Sequence, residues 1–310
     1  MNFLHLRAAG GDVYRNLAIE EFLLERARGF DVTLFTWHSD GAVVIGRHQN
    51  PWNEADPRFL ARHGIALARR VSGGGAVYQD RGNLNFSFIA GRGIFDIDRQ
   101  AGIVREGLAR LGISADIGPR KAMLVSGKKF SGSAFALRKG GALHHGTVLV
   151  DTDLRMMRAL RGRMHITSLR GTLSEAADVV NLSSIVPGIT AGAVADALLA
   201  ACEAHFAQRF SRAGEAEILD EDALAGLVAR QRSWGWRYGS TPAFETEIGR
   251  GDRRYALTVD RGLVGRIRTL PEGKILLDAG GALHFRRDAV RMAIEGAERR
   301  RVPRVMEDFA

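Results

Sequence analysis

The stretch RRVSGGGAVYQD, residues 69–80, places two arginines just ahead of three consecutive glycines. Gly73, Gly74 and Gly75 lack Cβ atoms, so a ligand can come close to their main-chain N–H groups. Successive amides of this kind can form a concave anion site. Arg70 adds a planar fork that matches a carboxylate or a phosphate. The competing reading is a glycine-rich hairpin turn with no ligand. The stretch is neither a Gly-x4-Gly-Lys-Ser/Thr phosphate loop nor a Gly-x-Gly-x-x-Gly fingerprint.

Three further stretches carry candidate chemistry. GKKFSGSAFA, residues 127–136, holds two of the five lysines of the chain, Lys128 and Lys129. A lysine there can set a point charge on a phosphate or on a developing oxyanion, although a solvated turn would look the same. Ser131, Gly132 and Ser133 again suit close backbone approach. In LHHGTVLV, His144 and His145 face opposite ways if the segment is a strand. No third ligand stands at metal spacing, so zinc is not expected and a supporting or core histidine is. Gly46, Arg47, Gln49, Asn50 and Pro51 form a polar turn after an apolar strand, a weak signal by itself.

Composition bounds the rest. The chain has 310 residues, 45% of them hydrophobic and 25% charged, which suits a globular protein with a full core. Its net charge of +9 favours anionic partners. No basic block is interleaved with aromatics, so nucleic acid is not the expected partner. No apolar run reaches the ~18 residues of a bilayer span, so no membrane association is expected. The opening residues carry neither a secretory leader nor a presequence pattern, so the expected location is cytoplasmic. Cys202 excludes an intrachain disulfide, and in ADALLAACEAHF it reads as a buried small residue rather than a nucleophile.

The elements that must position these residues read as follows. Helical spacing covers 14–27, 53–64, 96–112 and 190–210. Strand patterns cover 31–39, 41–48, 66–72 and 84–91, and two strands over 128–150 turn at Lys139 to Gly141. This is an α+β chain with mixed, largely antiparallel sheets and flanking helices, not a regular βαβ alternation. QRSWGWRYGSTPAFE marks a boundary near 240. It divides a main domain, 1–240, from a small α+β C-terminal domain, 241–310, of short strands and an Arg-rich helix. A piece that small is expected to pack on the rest.

Taken together, GRHQNPWNE, RRVSGGGAVYQDRGN, KFSGSA and HHGTVL, in that order, resemble the lipoate–protein ligase A and lipoyltransferase family. NLAIEEFLL, VVNLSSIVPGIT and RQRSWGWRYGSTPAF are also similar to it, and the likeness spans about residues 12–245. It implies a catalytic fold like those of biotin protein ligases and class II aminoacyl-tRNA synthetases. It also implies a two-step reaction, in which lipoate and Mg-ATP give lipoyl-AMP and the lipoyl group then passes to a lysine of an acceptor lipoyl domain. The acceptors implied are acyltransferase subunits of 2-oxoacid dehydrogenases, the glycine-cleavage H protein or a specialised lipoyl protein. Such domains are typically acidic, which suits the positive charge. A monomer is the default.

By motif position, the resemblance makes Lys129 the catalytic residue, touching both the carboxylate and the α-phosphate. Arg70 would hold phosphate. Gly73, Gly74, Gly75, Ala76, Val77 and Tyr78 would line the nucleotide and the lipoyl tail. Ser72, Asn83, Ser131, Gly132, His145, Gly146 and Thr147 would be further contacts, and residues 162–180 would close over the adenylate. No protein ligand for Mg2+ is assigned, the ion being held mainly through ATP. Two positions depart from the family pattern. Its histidine before the aspartate is Gln79 here, which cannot take up charge, and its acidic residue ahead of the catalytic lysine is Ala122. If that acid helps hold Mg-ATP, its loss bears on activation and not on transfer. The alternatives are therefore a transferase that uses preformed lipoyl-AMP, and a non-catalytic lipoyl- or nucleotide-binding module.

Overall fold

The computed structural model of the chain describes residues 2–28, 31–162, 164–250 and 252–301. Residues 163, 251 and 302–310 of the segments discussed above lie outside the described residues. Strand β1 (Phe3–Arg7) leads to α1 (Val13–Arg26), β2 (Val32–Trp37) and β3 (Ala42–Ile45). Helices α2 (Pro51–Glu54) and α3 (Pro57–His63) precede β4 (Ala66–Arg69), β5 (Val77–Gln79) and β6 (Asn83–Gly91). Next come α4 (Ile97–Ala109), β7 (Asp116–Ile117), β8 (Met123–Val125), β9 (Lys128–Leu137), β10 (Gly141–Leu149) and β11 (Ile166–Leu169). Then follow α5 (Ala191–Phe206), β12 (Ser211–Ala213), α6 (Glu215–Ile218), α7 (Glu221–Arg232) and α8 (Trp234–Arg237). The chain continues through β13 (Phe244–Arg250), β14 (Arg253–Asp260), β15 (Leu263–Leu270), β16 (Ile275–His284) and α9 (Arg287–Arg301).

An eight-stranded sheet runs β12-β1-β2-β6-β10-β9-β8-β7, and a three-stranded sheet β4-β3-β5 lies beside it. A five-stranded sheet runs β11-β13-β14-β15-β16. The fold is α+β as expected. Most pairs are antiparallel, while β1 lies parallel to both β2 and β12, and β3 parallel to β4. The expected hairpin over 128–150 is present, with Leu137 opposite Ala142 and Arg138 N donating to Gly141 O at 2.8 Å.

Local chemistry explains the boundaries. Asp12 caps α1 by accepting from Tyr14 N, and Thr190 caps α5 by accepting from Ala193 N. The single helix expected over 53–64 is two helices. Pro57 disfavours helical backbone at the residue before it, and Asp56 instead turns its side chain onto Arg58 N and Phe59 N as the cap of α3. Gly64 ends that helix in the left-handed region.

One apolar layer packs α4 and α5 on the large sheet through Phe86, Phe88, Phe130, Val104 and Leu198. A second packs α1 and α7 on the other face through Leu17, Phe22, Phe35 and Leu224. Each such side chain contributes roughly 1.5–3 kcal/mol of transfer free energy. Cys202 is buried in the first layer, and burial pushes its thiol well above the ordinary range, as suits a packing residue. A third cluster surrounds Trp52, which touches Phe244, Phe285 and Tyr238 at 5.5, 5.1 and 5.3 Å between ring centroids. The turn after β3 thus supplies a core residue to the C-terminal sheet, and β11, from upstream of 240, supplies its edge strand. Among the described residues no helix is long and apolar enough to cross a membrane.

Candidate functional site

The central strands β6, β10 and β9 lie side by side, with Gly146 opposite both Phe86 and Ser133, and Thr147 opposite both Asn85 and Gly132. Above them sits a cavity of about 280 Å³. Its wall includes Arg70, Gly74, Gly75, Ala76 and Val77 from the glycine loop, and Lys129, Gly132, His145, Gly146 and Thr147 from the hairpin. Two stretches far apart in sequence therefore meet at one space. Leu17, Trp37, Val44 and Phe86 give it an apolar side.

The two neighbouring lysines separate by strand alternation. Lys128 is exposed and lies 3.7 Å from Asp178. The Lys129 side chain joins the cavity wall, folded over Gly132, and no carboxylate pairs with it among the described residues. Burial, and then Arg120, holds its ammonium below the ordinary lysine value. Its main chain is fixed by Lys129 N donating to Asp178 O at 2.9 Å and by Val180 N donating to Lys129 O at 3.0 Å.

Arg70 is buried, and its hydrogen bonds run inward to the loop. Nε donates to Ser72 Oγ at 2.9 Å, Nη1 to Val44 O at 3.1 Å, and Nη2 to Gly73 O and Gly75 O at 2.6 and 2.8 Å. Of its five N–H groups one, on Nη1, is left over. Arg70 thus holds the curvature that Gly74, at φ +86°, makes possible. The resemblance gave Arg70 to phosphate; in this conformation its fork is occupied by the loop's own oxygens. Burial pushes it down to about 10, still charged near neutrality.

Other expected residues stand off the wall. Tyr78 points into the core beside Val43, Ile45 and Leu60, because neighbouring residues of β5 alternate and Val77 and Gln79 take the cavity side. Asn83 is buried and donates to Asn85 Oδ1 at 3.1 Å, and Ser131 is buried in β9. Ser72 Oγ bonds His145 Nε2 at 2.7 Å, and Gly73 offers its carbonyl to Arg70. Both departures from the family pattern, Gln79 and Ala122, are on the cavity wall. Gln79 accepts from Ser39 Oγ at 3.0 Å.

The segment 170–180 reaches over the cavity. Ser174 Oγ donates to Glu54, and accepts from Gln49 Nε2 at 3.0 Å and from Ala76 N at 2.8 Å. One hydroxyl therefore ties the covering segment to the turn after β3 and to the glycine loop. Glu175 on this segment pairs with Arg120 at 2.7 Å. Sequence reasoning missed Ser174, Glu54, Arg120 and Glu20. It also missed a function for Arg69, which is wholly buried. Arg69 donates to the carbonyls of Arg47, Gln49, Trp236 and Arg237 at 2.7–3.2 Å and to Thr241 Oγ1 at 2.9 Å.

The arrangement can seat an anion, with Lys129 and Arg120 on the wall against the carboxylate of Glu175. Among the described residues no cluster of three metal-ligating side chains occurs. A divalent cation here would depend on ligand oxygens and water, as Mg2+ on nucleotides commonly does.

Residues 12–203 match the model of the lipoyl protein ligase A/B catalytic domain. The chain belongs to this family. Solved structures agree with that membership. A lipoate-protein ligase A bound with ATP superposes with a TM-score of 0.66 at 26% identity, over 76% of this chain and 98% of that one. The Thermoplasma acidophilum protein Ta0514 with bound lipoic acid gives 0.64 at 27% identity, over 76% and 99%. A bi-partite lipoate protein ligase from the same organism, studied with its E2 lipoyl domain, gives 0.65 at 27%, over 76% and 96%. Family membership and these likenesses make the chain an enzyme of the lipoate ligase type, with ATP and lipoate the ligands seen in its relatives.

Proposed function

We propose that the protein is a lipoate–protein ligase that forms lipoyl-AMP from lipoate and Mg-ATP and passes the lipoyl group to a lysine of an acceptor lipoyl domain. The single observation that carries this reading is Lys129, a half-buried cation with no ion-pair partner among the described residues, on the wall of a cavity closed on one side by the glycine loop. Lipoate and ATP are both anions, and a cation between carboxylate and α-phosphate lowers the barrier to their approach. In the second step the acceptor amine attacks the acyl carbon, the bond to the phosphate oxygen breaks, and AMP leaves. The same cation stabilises the charge that builds on the acyl oxygen and the departing phosphate.

In this reading the glycine loop, His145, Gly146 and Thr147 enclose the reacting end. Leu17, Trp37, Val44 and Phe86 take the acyl tail, and the segment around Ser174 covers the adenylate. Acceptors would be the lipoyl domains of 2-oxoacid dehydrogenases, H protein or a specialised lipoyl protein. Main domain 1–240 would do the chemistry, and the C-terminal domain 241–310 would buttress the covering segment.

Ala122 on the cavity wall supports a second reading, transfer from preformed lipoyl-AMP without activation. Pyrophosphate release with lipoate and Mg-ATP, followed by intact mass of an acceptor domain, tests both. Release together with a lipoyl mass gain supports the complete ligase. No release, with modification restored by added lipoyl-AMP, selects transfer alone. No modification under either condition removes both.

A further inference from the structure

Glu20 lies on α1, within an apolar helical pattern, and is fully buried at 0% exposure. Its Oε1 accepts from Ser87 Oγ at 2.6 Å and meets His145 Nδ1 at 2.8 Å. His145 Nε2 meets Ser72 Oγ at 2.7 Å, and Ser72 Oγ accepts from Arg70 Nε at 2.9 Å. Arg70 in turn holds Gly73 O and Gly75 O. An unbroken path of hydrogen bonds therefore joins helix α1 to the glycine loop.

The proton order along this path follows from donor and acceptor chemistry. Arginine only donates. Ser72 Oγ receives that bond and must send its own hydrogen elsewhere. His145 Nε2 is near, whereas the alternative, Gly73 O, is 3.5 Å away and already accepts from Arg70 at 2.6 Å. So Nε2 accepts and carries no proton, Nδ1 carries it, and Nδ1–H donates to Glu20. The order serine, histidine, acid is that of a nucleophilic relay. Ser72, however, is 1% exposed and off the cavity wall, so it cannot meet an acyl carbon.

We propose that Glu20 is a positioning residue that holds His145 in its Nδ1–H tautomer and, through Ser72 and Arg70, sets the shape of the glycine loop. The inference rests on the ligase reading for its consequence, since the loop it shapes is the one that would wrap the adenylate. The charged side chains near His145 are Glu20 from α1, Arg70 from the loop and Lys129, which shares the cavity wall with it. A second proton on His145 Nε2 would take away the acceptor of the Ser72 hydroxyl and loosen the loop.

The test combines kinetics with isotope-labelled histidine NMR on the full chain. Glu20→Ala should lower kcat/KM for lipoyl transfer at least about tenfold, as removal of an orienting acid does. Glu20→Gln keeps an acceptor oxygen and should recover most of that loss near neutrality. The NMR spectrum of the unsubstituted protein should show His145 protonated on Nδ1 alone, and Glu20→Ala should lose that preference. An Nε2–H tautomer in the unsubstituted protein, or a Gln variant that recovers no more activity than Glu20→Ala, overturns the proposal. If the unsubstituted protein transfers no lipoyl group yet shows the Nδ1–H tautomer and its loss in Glu20→Ala, the ligase reading falls and the tautomer assignment stands.

Discussion

Lys128 and Lys129 are consecutive on β9, and only Lys129 reaches the cavity, while Lys128 lies 3.7 Å from Asp178 outside it. The pair is an internal control. Lys129→Ala should lower lipoyl transfer by about 100- to 1000-fold, the range for removing one preorganised donor. Lys128→Ala should change it less than about threefold, as an exposed ion pair contributes little. Equal losses in the two variants, read by intact mass of the acceptor, would falsify the assignment of Lys129. Because burial lowers the Lys129 ammonium, the cation is lost as pH rises through a value below that of free lysine. Activity should therefore decline on the alkaline side.

Arg70 grips the glycine loop from within, so Arg70→Lys should loosen the whole cradle. Titration calorimetry is expected to show affinity for lipoate and for a stable lipoyl-AMP analogue falling together, each by about tenfold, the value of one hydrogen bond to a charged group. A loss confined to the phosphate-bearing ligand would instead return Arg70 to phosphate binding.

Gly46 faces the same loop from the other side. A Cβ there would stand 2.2 Å from Gly74 O, a distance that forces the loop to move. Gly46→Ala should lower kcat/KM by about 100-fold through misplacement of the cradle. Gly10→Ala, where nothing lies within 4 Å of the added carbon, serves as the comparison. Matching kinetics in the two variants would show that the loop position is unimportant.

Ala122 has extended backbone, at φ −64° and ψ 145°, which any L-residue adopts. Ala122→Asp would place a carboxylate on the cavity wall. Pyrophosphate release should then reach half its maximum at about tenfold lower Mg2+, one tenfold step being about 1.4 kcal/mol of added binding. Transfer from preformed lipoyl-AMP should be unaltered. An unchanged Mg2+ dependence would remove this position from metal handling.

His144, beside His145 but facing the opposite layer, packs on Phe135 at 4.6 Å and is lowered to about 3 by burial. In the unfolded chain a histidine titrates near ~6.5. As pH falls, the unfolded state takes up the proton first. The stability contributed by the neutral ring is thus complete above about 6.5 and is lost progressively towards about 3. His5, lowered to about 4 chiefly by burial, acts in the same direction. The urea midpoint should fall between about pH 7 and 5, and less steeply in His144→Gln. Identical slopes would clear His144 of this role.

What the sequence revealed and what it concealed differ by range. The glycine loop, the lysine pair and the HHGT stretch were legible because glycine content and strand alternation are local. The hairpin of β9 and β10 followed from the same signals. Glu20 was hidden because an acid inside an apolar helical pattern looks like a solvated face, and its partner His145 is 125 residues away. Ser174 was hidden because its partners Glu54, Gln49 and Ala76 come from α2, the turn after β3 and the glycine loop. Motif position put Tyr78 with the ligand, whereas its side chain packs in the core, because motif position takes no account of the period of two along β5. The split of α2 from α3 could have been anticipated from Pro57, whose effect on the preceding residue is strictly local.

Arg69 has one more consequence. Among the described residues no carboxylate pairs with its guanidinium, which burial pushes down to about 9, so its charge is solvated almost wholly by carbonyls of two distant stretches, 46–49 and 236–237. Neither stretch can peel away without stranding a cation in a dry interior. The turn after β3 and the connection to the C-terminal sheet should therefore melt as one cooperative unit. Limited proteolysis in the connection should accordingly release no folded catalytic fragment, and a chain severed there should lose both parts at once.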